Sequence, residues 1–154
     1  MRILSTGDWH FNAGYDDDVS ASVQQIIDYV SDYKHEKVDL IVVTGDIYDR
    51  ASEPGSRNLA AHYIQALANI AEVLIVRGNH DAPADLLILK SLTSSYPISV
   101  DEAPQSYYNK GIYVTSLPWI TKARWQSLHP EATKEKGDET VSQMVLTYLK
   151  NLVA

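Results

Sequence analysis

Three short polar turns in the first half of the chain carry side chains of the kinds that bind divalent metal ions. In chain order the candidate groups are Asp8, His10, Asp46, Asn79 and His80. Carboxylate oxygens, imidazole nitrogens and an amide oxygen together suit a borderline-hard divalent ion such as manganese, iron or zinc. Two such ions about 3.5–4 Å apart can clamp a phosphoryl group and activate water at neutral pH. The residue types therefore predict a metal centre suited to phosphoryl chemistry.

The residues of these turns allow different roles. Asp46, on the middle turn, can bridge two ions, which leaves His80 free to act as a general acid or to stabilise charge. Asp81 can orient His80, or it can cap the helix expected to follow. Asp49 either lines the site or hydrogen-bonds its own turn, and Arg50 either holds a phosphate or pairs with a carboxylate.

Each polar turn comes directly after a short apolar run that is typical of a buried strand. These runs span residues 2–6, 39–43 and 73–76, and the third ends at a Gly-Asn pair, which is a turn signal. Apolar residues at helical spacing predict a helix over residues 19–35 and a second helix with Ser56 as its N-cap. This order predicts an α/β fold of parallel βαβ units, a sheet layered with helices, in which the turns converge at one edge.

The pattern changes in the second half of the chain. We expect a short helix after Pro83 and a final amphipathic helix over residues 141–152. Strands are expected over residues 98–100, 105–108 and 112–116, the last two paired around the turn Asn109-Lys110-Gly111. The tyrosines of these paired strands favour cross-strand ring contacts over stacking on nucleic-acid bases.

The composition is that of a globular protein, and we expect one domain over residues 1–154. The chain has 154 residues, 45% hydrophobic and 21% charged, and no cysteine, which excludes disulfides and thiolate metal sites. The net charge of −7 argues against general polyanion binding, although carboxylates at a metal site contribute to it. No apolar run approaches the roughly 20 residues of a membrane span, and no signal peptide precedes the first strand. We therefore expect an intracellular, cytoplasmic protein without a membrane partner.

The three motifs, in this order and each after a predicted strand, resemble those of the calcineurin-like metallophosphoesterases. The motifs are Asp8-x-His10, Gly45-Asp46-x-x-Asp49-Arg50 and Gly78-Asn79-His80-Asp81. A finer resemblance is to the SbcD-type DNA repair exonuclease subunits, including their phage relatives. It rests on Asp81 as the last residue of the third motif and on three further stretches: Asp8-Trp9-His10, Ser52-Glu53-Pro54 and Leu117-Pro118-Trp119.

The resemblance implies a metal-dependent DNA exonuclease or endonuclease that cleaves phosphodiester bonds in repair and recombination. It implies two divalent ions, manganese favoured over iron, zinc or magnesium, with Asp8, His10, Asp46 and Asn79 as ligands. It also implies His80 as the catalytic histidine, and the third motif places Asp81 beside it. The implied partners are DNA, an SMC-like ATPase and a second copy of the chain in a homodimer.

The chain departs from this family in the number of histidine motifs. Two further motifs of the family supply three more histidine ligands, and the remaining histidines here, His35, His62 and His129, follow no strand that ends in glycine. Two octahedral ions need about a dozen ligand positions, and this chain offers four protein ligands. We therefore expect the N-terminal part of a nuclease domain, truncated before its last metal-binding strands and incomplete for catalysis. Two other interpretations stay open: a related phosphoesterase acting on a phosphoprotein or a small nucleotide, and an inactive assembly module.

Overall fold

The structure of the chain is a computed structural model that describes residues 1–32, 36–121, 127, 143 and 146–151. The chain divides into two compact units, Met1–Glu102 and Ala103–Ala154. All three polar turns belong to the first unit. His35 and His129 lie outside the described residues.

The first unit is an α/β fold built on a parallel sheet. Its strands are β1 Ile3–Thr6, β2 Leu40–Val43, β3 Glu72–Val76 and β4 Ile98–Asp101, and its helices are α1 Asp16–Ser31, α2 Pro54–Ala68 and a short 3-10 helix at Leu87–Ser91. The strands lie side by side in chain order, and all three pairings are parallel. The predicted α/β class and its βαβ order are confirmed, and β4 extends the parallel sheet beyond the three strands that carry the turns.

The two central strands are buried on both faces, as expected where helices cover a parallel sheet. Leu40, Ile41 and Val43 of β2 are fully buried, and so are Val73 and Ile75 of β3. All of these residues except Leu40 form one hydrophobic core with the inner faces of α1 and α2. The apolar runs that predicted the strands are therefore the residues that fix the sheet beneath the polar turns.

Both helices begin earlier than their apolar spacing predicts. α1 begins at Asp16 rather than near residue 19, with three aspartates in its first turn, where the helix dipole favours negative charge. α2 begins at Pro54, whose fixed φ suits the first turn of a helix. The prediction of Ser56 as the N-cap is wrong, because this residue lies inside the helix. Its buried hydroxyl instead donates to the Asp16 carboxylate at 3.2 Å and joins the two helix starts.

The second unit contains a two-stranded antiparallel hairpin, β5 Gln105–Asn109 and β6 Ile112–Ser116. Lys110 and Gly111 form its turn with φ values of 45° and 93°, the left-handed values that two-residue hairpin turns require. The predicted hairpin is therefore confirmed.

The tyrosines of the hairpin pair across its strands. Tyr108 and Tyr113 lie opposite each other with ring centroids 5.2 Å apart, which matches the predicted cross-strand contact. The final helix is described only in part: Gln143 and residues 146–151 are helical, and the rest of 141–152 lies outside the described residues. Within the described part of the chain, no helix combines the length and apolar character that crossing a bilayer requires.

Candidate metal centre

The three polar turns leave the carboxyl ends of β1, β2 and β3 side by side. Thr6 is in register with Val43, and Val43 is in register with Ile75, so the three strands end at the same edge of the sheet. Beyond the sheet, a parallel bridge between Phe11 and Tyr48 keeps the first two turns together. The turns that carry the candidate ligands therefore meet at one edge.

Three of the candidate ligands have left-handed backbone conformations. The φ angle is 60° at Asp8, 54° at His10 and 50° at Asp46. A non-glycine residue in this region costs about 1–2 kcal/mol, so neighbouring bonds must hold it there. The Asp8 N–H donates to the Gly45 carbonyl at 2.9 Å, and the His10 N–H donates to the Asp46 carbonyl at 2.9 Å. Backbone strain that is held in this way clusters at functional sites.

Two glycines allow the second and third turns to approach each other closely. Gly45 has a φ of 89°, and a Cβ atom there would overlap the backbone of Gly78. A Cβ atom at Gly78 would in turn overlap the backbone nitrogen and the carboxylate of Asp46. Only glycine fits both positions, and the close approach brings Asp46 against the third turn.

The Asp81 carboxylate ties the second turn to the third. It is buried and accepts four backbone N–H groups, those of Asp46 at 2.9 Å, Ile47 at 3.0 Å, Tyr48 at 3.2 Å and Gly78 at 2.9 Å. Burial raises the pKa of this carboxyl, and the bonds from three of these N–H groups oppose the rise. The carboxylate therefore positions the turn that carries Asp46.

These bonds differ from the two roles that the sequence suggested for Asp81. The ring of His80 is oriented by Asp49 instead, because its Nδ1 donates to the Asp49 carbonyl at 2.7 Å. The short 3-10 helix that follows Pro83 has Leu86 at its N-cap position. Both carboxylate oxygens of Asp81 accept backbone N–H groups, so Asp81 positions the turns in this structure.

His10, Asp46 and His80 each bring one ligand atom within 4.8 Å of the others. The two imidazole rings meet edge to face, with centroids 4.7 Å apart and an interplanar angle of 83°. His10 and Asp46 supply an imidazole and a carboxylate, which first-row divalent ions accept, and His80 lies close to both. The donor chemistry and the spacing therefore fit the metal that the motifs imply.

Asp8 adds a further carboxylate on the first turn. Its Oδ1 lies 2.8 Å from the Nε2 atom of His10, and its side chain is 82% exposed. Adjacent ligands of an octahedral ion with bonds of about 2.1 Å are separated by about 3.0 Å, close to the distance found here. Asp8 and His10 are thus spaced as two ligands of one ion, and Asn79 lies exposed on the third turn.

His80 is exposed and is fixed at two points. Its backbone N–H donates to Asp46 Oδ1 at 2.8 Å, and its ring Nδ1 donates to the Asp49 carbonyl at 2.7 Å. The bond to the Asp49 carbonyl raises the pKa of the imidazole, and the nearby carboxylates of Asp46, Asp49 and Asp81 raise it further against the opposing effect of desolvation. The protonated form of the ring therefore persists to higher pH, with Nδ1 engaged and Nε2 left for another partner.

The Asp49 side chain lies among the site residues. Its Oδ2 accepts a hydrogen bond from Asn12 Nδ2 at 2.8 Å, and its Oδ1 lies 3.4 Å from His10 Nδ1. Arg50 is 70% exposed, with its Nε 4.0 Å from Asp49 Oδ2. Of the two roles considered for Arg50, pairing with a carboxylate is the one seen in this structure.

Two residues of the site were missed by the sequence analysis. Asn12 holds the Asp49 carboxylate, and its only signal is an amide side chain two residues after His10 in the same turn. Tyr48 is fully buried, and its hydroxyl has no hydrogen-bond partner among the described residues. Burial, with smaller effects of the Asp85 and Asp81 charges, raises the pKa of Tyr48 to about 12. A tyrosine next to Asp49 in a polar motif gives no sign of this burial.

An open cleft of about 350 Å³ adjoins the first turn. It is lined by Thr6, Asp8 and Trp9 and, from α1, by Asp18 and Ser22 among others. Its charged side chains are carboxylates, so a phosphate entering it would require a cation to offset the repulsion.

Comparison with known proteins agrees with these motifs. The calcineurin-like phosphoesterase family matches residues 1–150. The chain is 32% identical over 113 residues to the SbcD subunit of the SbcCD nuclease from Escherichia coli K12, an alignment that covers 68% of this chain and 28% of that protein. It is 32% identical over 98 residues to the SbcD protein of Bacillus subtilis strain 168, covering 60% of this chain and 25% of that protein. The chain thus spans about a quarter of the length of these relatives.

A solved structure of a protein of unknown function from Aquifex aeolicus aligns over 97% of this chain and 73% of its own length, with a TM-score of 0.48 and 15% identity.

Proposed function

The chain belongs to the calcineurin-like phosphoesterase family, and on that premise we propose that it forms part of a metal-dependent nuclease that hydrolyses phosphodiester bonds of DNA. The observation that carries the proposal is the convergence of His10, Asp46 and His80 at the ends of parallel strands. The similarity to the SbcD component of the SbcCD nuclease favours a nucleic acid as the substrate. The stretches Asp8-Trp9-His10 and Leu117-Pro118-Trp119 favour the same branch of the family.

The proposed cofactors are two divalent ions, with manganese in first place. Asp8, His10, Asp46 and Asn79 are the residues that we propose would hold them. When bound, the ions would neutralise charge on the phosphoryl oxygens and activate water. Two octahedral ions need about a dozen ligand positions, so we propose that protein ligands beyond the described residues complete the set.

His80 is the proposed catalytic acid or charge-stabilising group. With Nδ1 donating to the Asp49 carbonyl at 2.7 Å, only Nε2 is left to face a substrate. The raised pKa keeps this nitrogen protonated over a wider pH range, so it can donate a proton to the leaving oxygen or stabilise a phosphoryl oxygen. The backbone N–H of His80 donates to Asp46 Oδ1, which keeps the residue close to a proposed metal ligand.

The proposed partners are an SMC-like ATPase and a second copy of the chain, in an intracellular repair or recombination complex. The relatives from Escherichia coli and Bacillus subtilis are both named as one subunit of the SbcCD nuclease, which supports a role within an assembly. Light scattering tests the homodimer, which predicts twice the mass of one chain.

The test of the proposed function combines metal binding with cleavage. Manganese titration by calorimetry is carried out on this chain, and cleavage of labelled DNA is measured on the full-length protein. We expect manganese-stimulated cleavage that EDTA abolishes and that His80→Asn lowers by about 10²–10⁴-fold. The matched control is His62→Asn, because His62 is a histidine on α2 outside the three turns. The control should cleave as the unmodified protein does.

Two other outcomes would replace the proposal. Turnover of a chromogenic phosphodiester or a phosphopeptide without cleavage of DNA would indicate a phosphoesterase with another substrate. A stable oligomer that neither binds manganese nor hydrolyses any of these esters would indicate an assembly module.

A further inference from the structure

Arg57, near the start of α2, is an exposed arginine whose guanidinium is held in a fixed orientation. Its Nε donates to Ser52 Oγ at 2.8 Å, and its Nη2 donates to the Ser52 carbonyl at 2.7 Å. The guanidinium carries further N–H groups, and these make no hydrogen bond to a residue that the structure describes. Arg57 therefore presents several donors to solvent at a fixed place.

Ser52 is itself fixed to the segment that follows the third turn. Its backbone N–H donates to Asp85 Oδ2 at 3.0 Å, and its hydroxyl donates to the same oxygen at 2.8 Å. The hydroxyl thus donates to a carboxylate and accepts from the guanidinium of Arg57. These bonds join the loop after the second turn, the segment after the third turn and α2, so they hold Arg57 in place relative to the metal centre.

The loop that carries Ser52 is short, which keeps Arg57 near the proposed catalytic histidine. The Asp49 carbonyl accepts the bond from His80 Nδ1, and Ser52 follows three residues later in the chain. A segment of this length spans at most about 11 Å. Successive phosphates of one DNA strand lie within that distance. A strand with one phosphate at His80 can therefore place a neighbouring phosphate at Arg57.

The charge around Arg57 differs from that around the first turn. The cleft beside the first turn is lined by the carboxylates of Asp8 and Asp18, which repel a phosphate. Arg50 lies 4.0 Å from the carboxylate of Asp49. Arg57 bonds only to neutral oxygens among the described residues, and its link to Asp85 runs through the Ser52 hydroxyl. Its charge is therefore available to an anion, and a planar guanidinium matches the oxygens of a phosphate.

We propose that Arg57 binds a phosphate adjacent to the one that is cleaved and so positions the DNA strand across the metal centre. The inference rests on the proposed function, because it takes DNA as the substrate. It adds a substrate-binding residue on α2, outside the three turns. A contact to the backbone carries no direct sequence information, so the effect of Arg57 should be the same for DNA of different sequences.

The salt dependence of DNA binding by the full-length protein tests this proposal. Binding of a fluorescein-labelled duplex is measured by anisotropy in the presence of manganese, and every protein carries His80→Asn to slow cleavage. Each phosphate contact contributes about 0.9 to the slope of log affinity against log salt concentration. We expect Arg57→Gln to reduce the magnitude of the slope by about 0.9 and to weaken binding about 5–10-fold at about 0.1 M salt.

Two further variants separate phosphate binding from a purely structural role. Arg57→Lys keeps the positive charge but loses the fork that binds Ser52, so it should retain the salt slope although the loop is held less firmly. Lys37→Gln is the matched loss of one positive charge. Lys37 is exposed, precedes the amino end of β2 and donates to the Tyr96 hydroxyl at 3.1 Å. Its replacement should leave the slope unchanged.

The outcomes distinguish this inference from the proposed function. A protein with Arg57→Gln that binds DNA with an unchanged slope would overturn the role of Arg57 and leave the proposed function standing. An Arg57→Lys protein that loses as much slope as Arg57→Gln would also overturn it, because the charge would then not be the cause. A His80→Asn protein that binds no duplex at any salt concentration would count against both.

Discussion

Replacing the buried Asp81 with alanine is expected to lower the free energy of unfolding by about 4 kcal/mol. Four backbone N–H groups, two on each oxygen, would lose their acceptor, and the net value of each bond is about 1 kcal/mol. Asp81→Asn keeps one carbonyl oxygen and therefore two of the four bonds. Its NH₂ group would face the N–H donors of the other pair, so we expect this variant to lose about 2 kcal/mol or more.

The assay is urea unfolding followed by far-ultraviolet circular dichroism. The matched control is Asp17→Ala, which removes an exposed carboxylate in the first turn of α1 and should stay within about 1 kcal/mol of the unmodified chain. Manganese affinity should also fall in both Asp81 variants, because the N–H of Asp46 is one of the groups released. An alanine variant or an asparagine variant as stable as the control would refute the reasoning.

Three further changes test the packing of the turns. Gly78→Ala should destabilise the chain by about 1–3 kcal/mol and weaken manganese binding, because the new Cβ would overlap Asp46. Gly55→Ala, with no atom within 4 Å of the new Cβ, should stabilise α2 by about 0.5–1 kcal/mol, and urea unfolding of both variants checks this contrast. Tyr48→Phe should be as stable as the unmodified chain or more stable at pH 7, because the buried hydroxyl has no partner among the described residues. A folded-state pKa of about 12 against an ordinary value of 10.0 means that burial opposes ionisation of the phenol, which affects the stability of the fold only above pH 10. The chain then loses stability at about 1.4 kcal/mol per pH unit as pH rises from 10 to 12, and Tyr48→Phe should remove this part of the alkaline loss in unfolding measured from pH 9 to 12.

The architecture could be predicted because local patterns and chain connectivity determine it. The apolar runs at 39–43 and 73–76 are almost wholly aliphatic, which is typical of strands covered on both faces. Helical spacing between them requires crossovers, so the strands are parallel and their carboxyl ends lie together. The hairpin was equally predictable, because the turn signal Asn109-Lys110-Gly111 separates two strand-like runs.

The pairing of polar groups inside the site could not be predicted, because the partners are far apart in sequence. Asp81 bonds to the N–H of Asp46, 35 positions away, and Asn12 bonds to Asp49, 37 positions away. Nothing in the local sequence of either carboxylate distinguishes a buried bond to the backbone from a bond to a histidine ring. Only the close approach of the turns decides which donor each oxygen meets.

The helix starts show a different limit of the sequence analysis. Apolar spacing reports the face that a helix buries, and the first turns of α1 and α2 bury little of that face. Their starts are set by Asp16 and its neighbours near the helix dipole and by the fixed φ of Pro54. A boundary drawn from buried residues therefore falls inside the helix.

Asp8, His10 and Asp46 have a left-handed backbone, which favours glycine, although metal binding requires their side chains. Glycine at any of the three would relieve about 1–2 kcal/mol of strain and would remove a donor atom. A library of variants selected for thermal stability alone should therefore enrich glycine at these positions, while selection for manganese binding should exclude it. The side chains that survive in lineages of this protein thus record which of the two pressures acted on it.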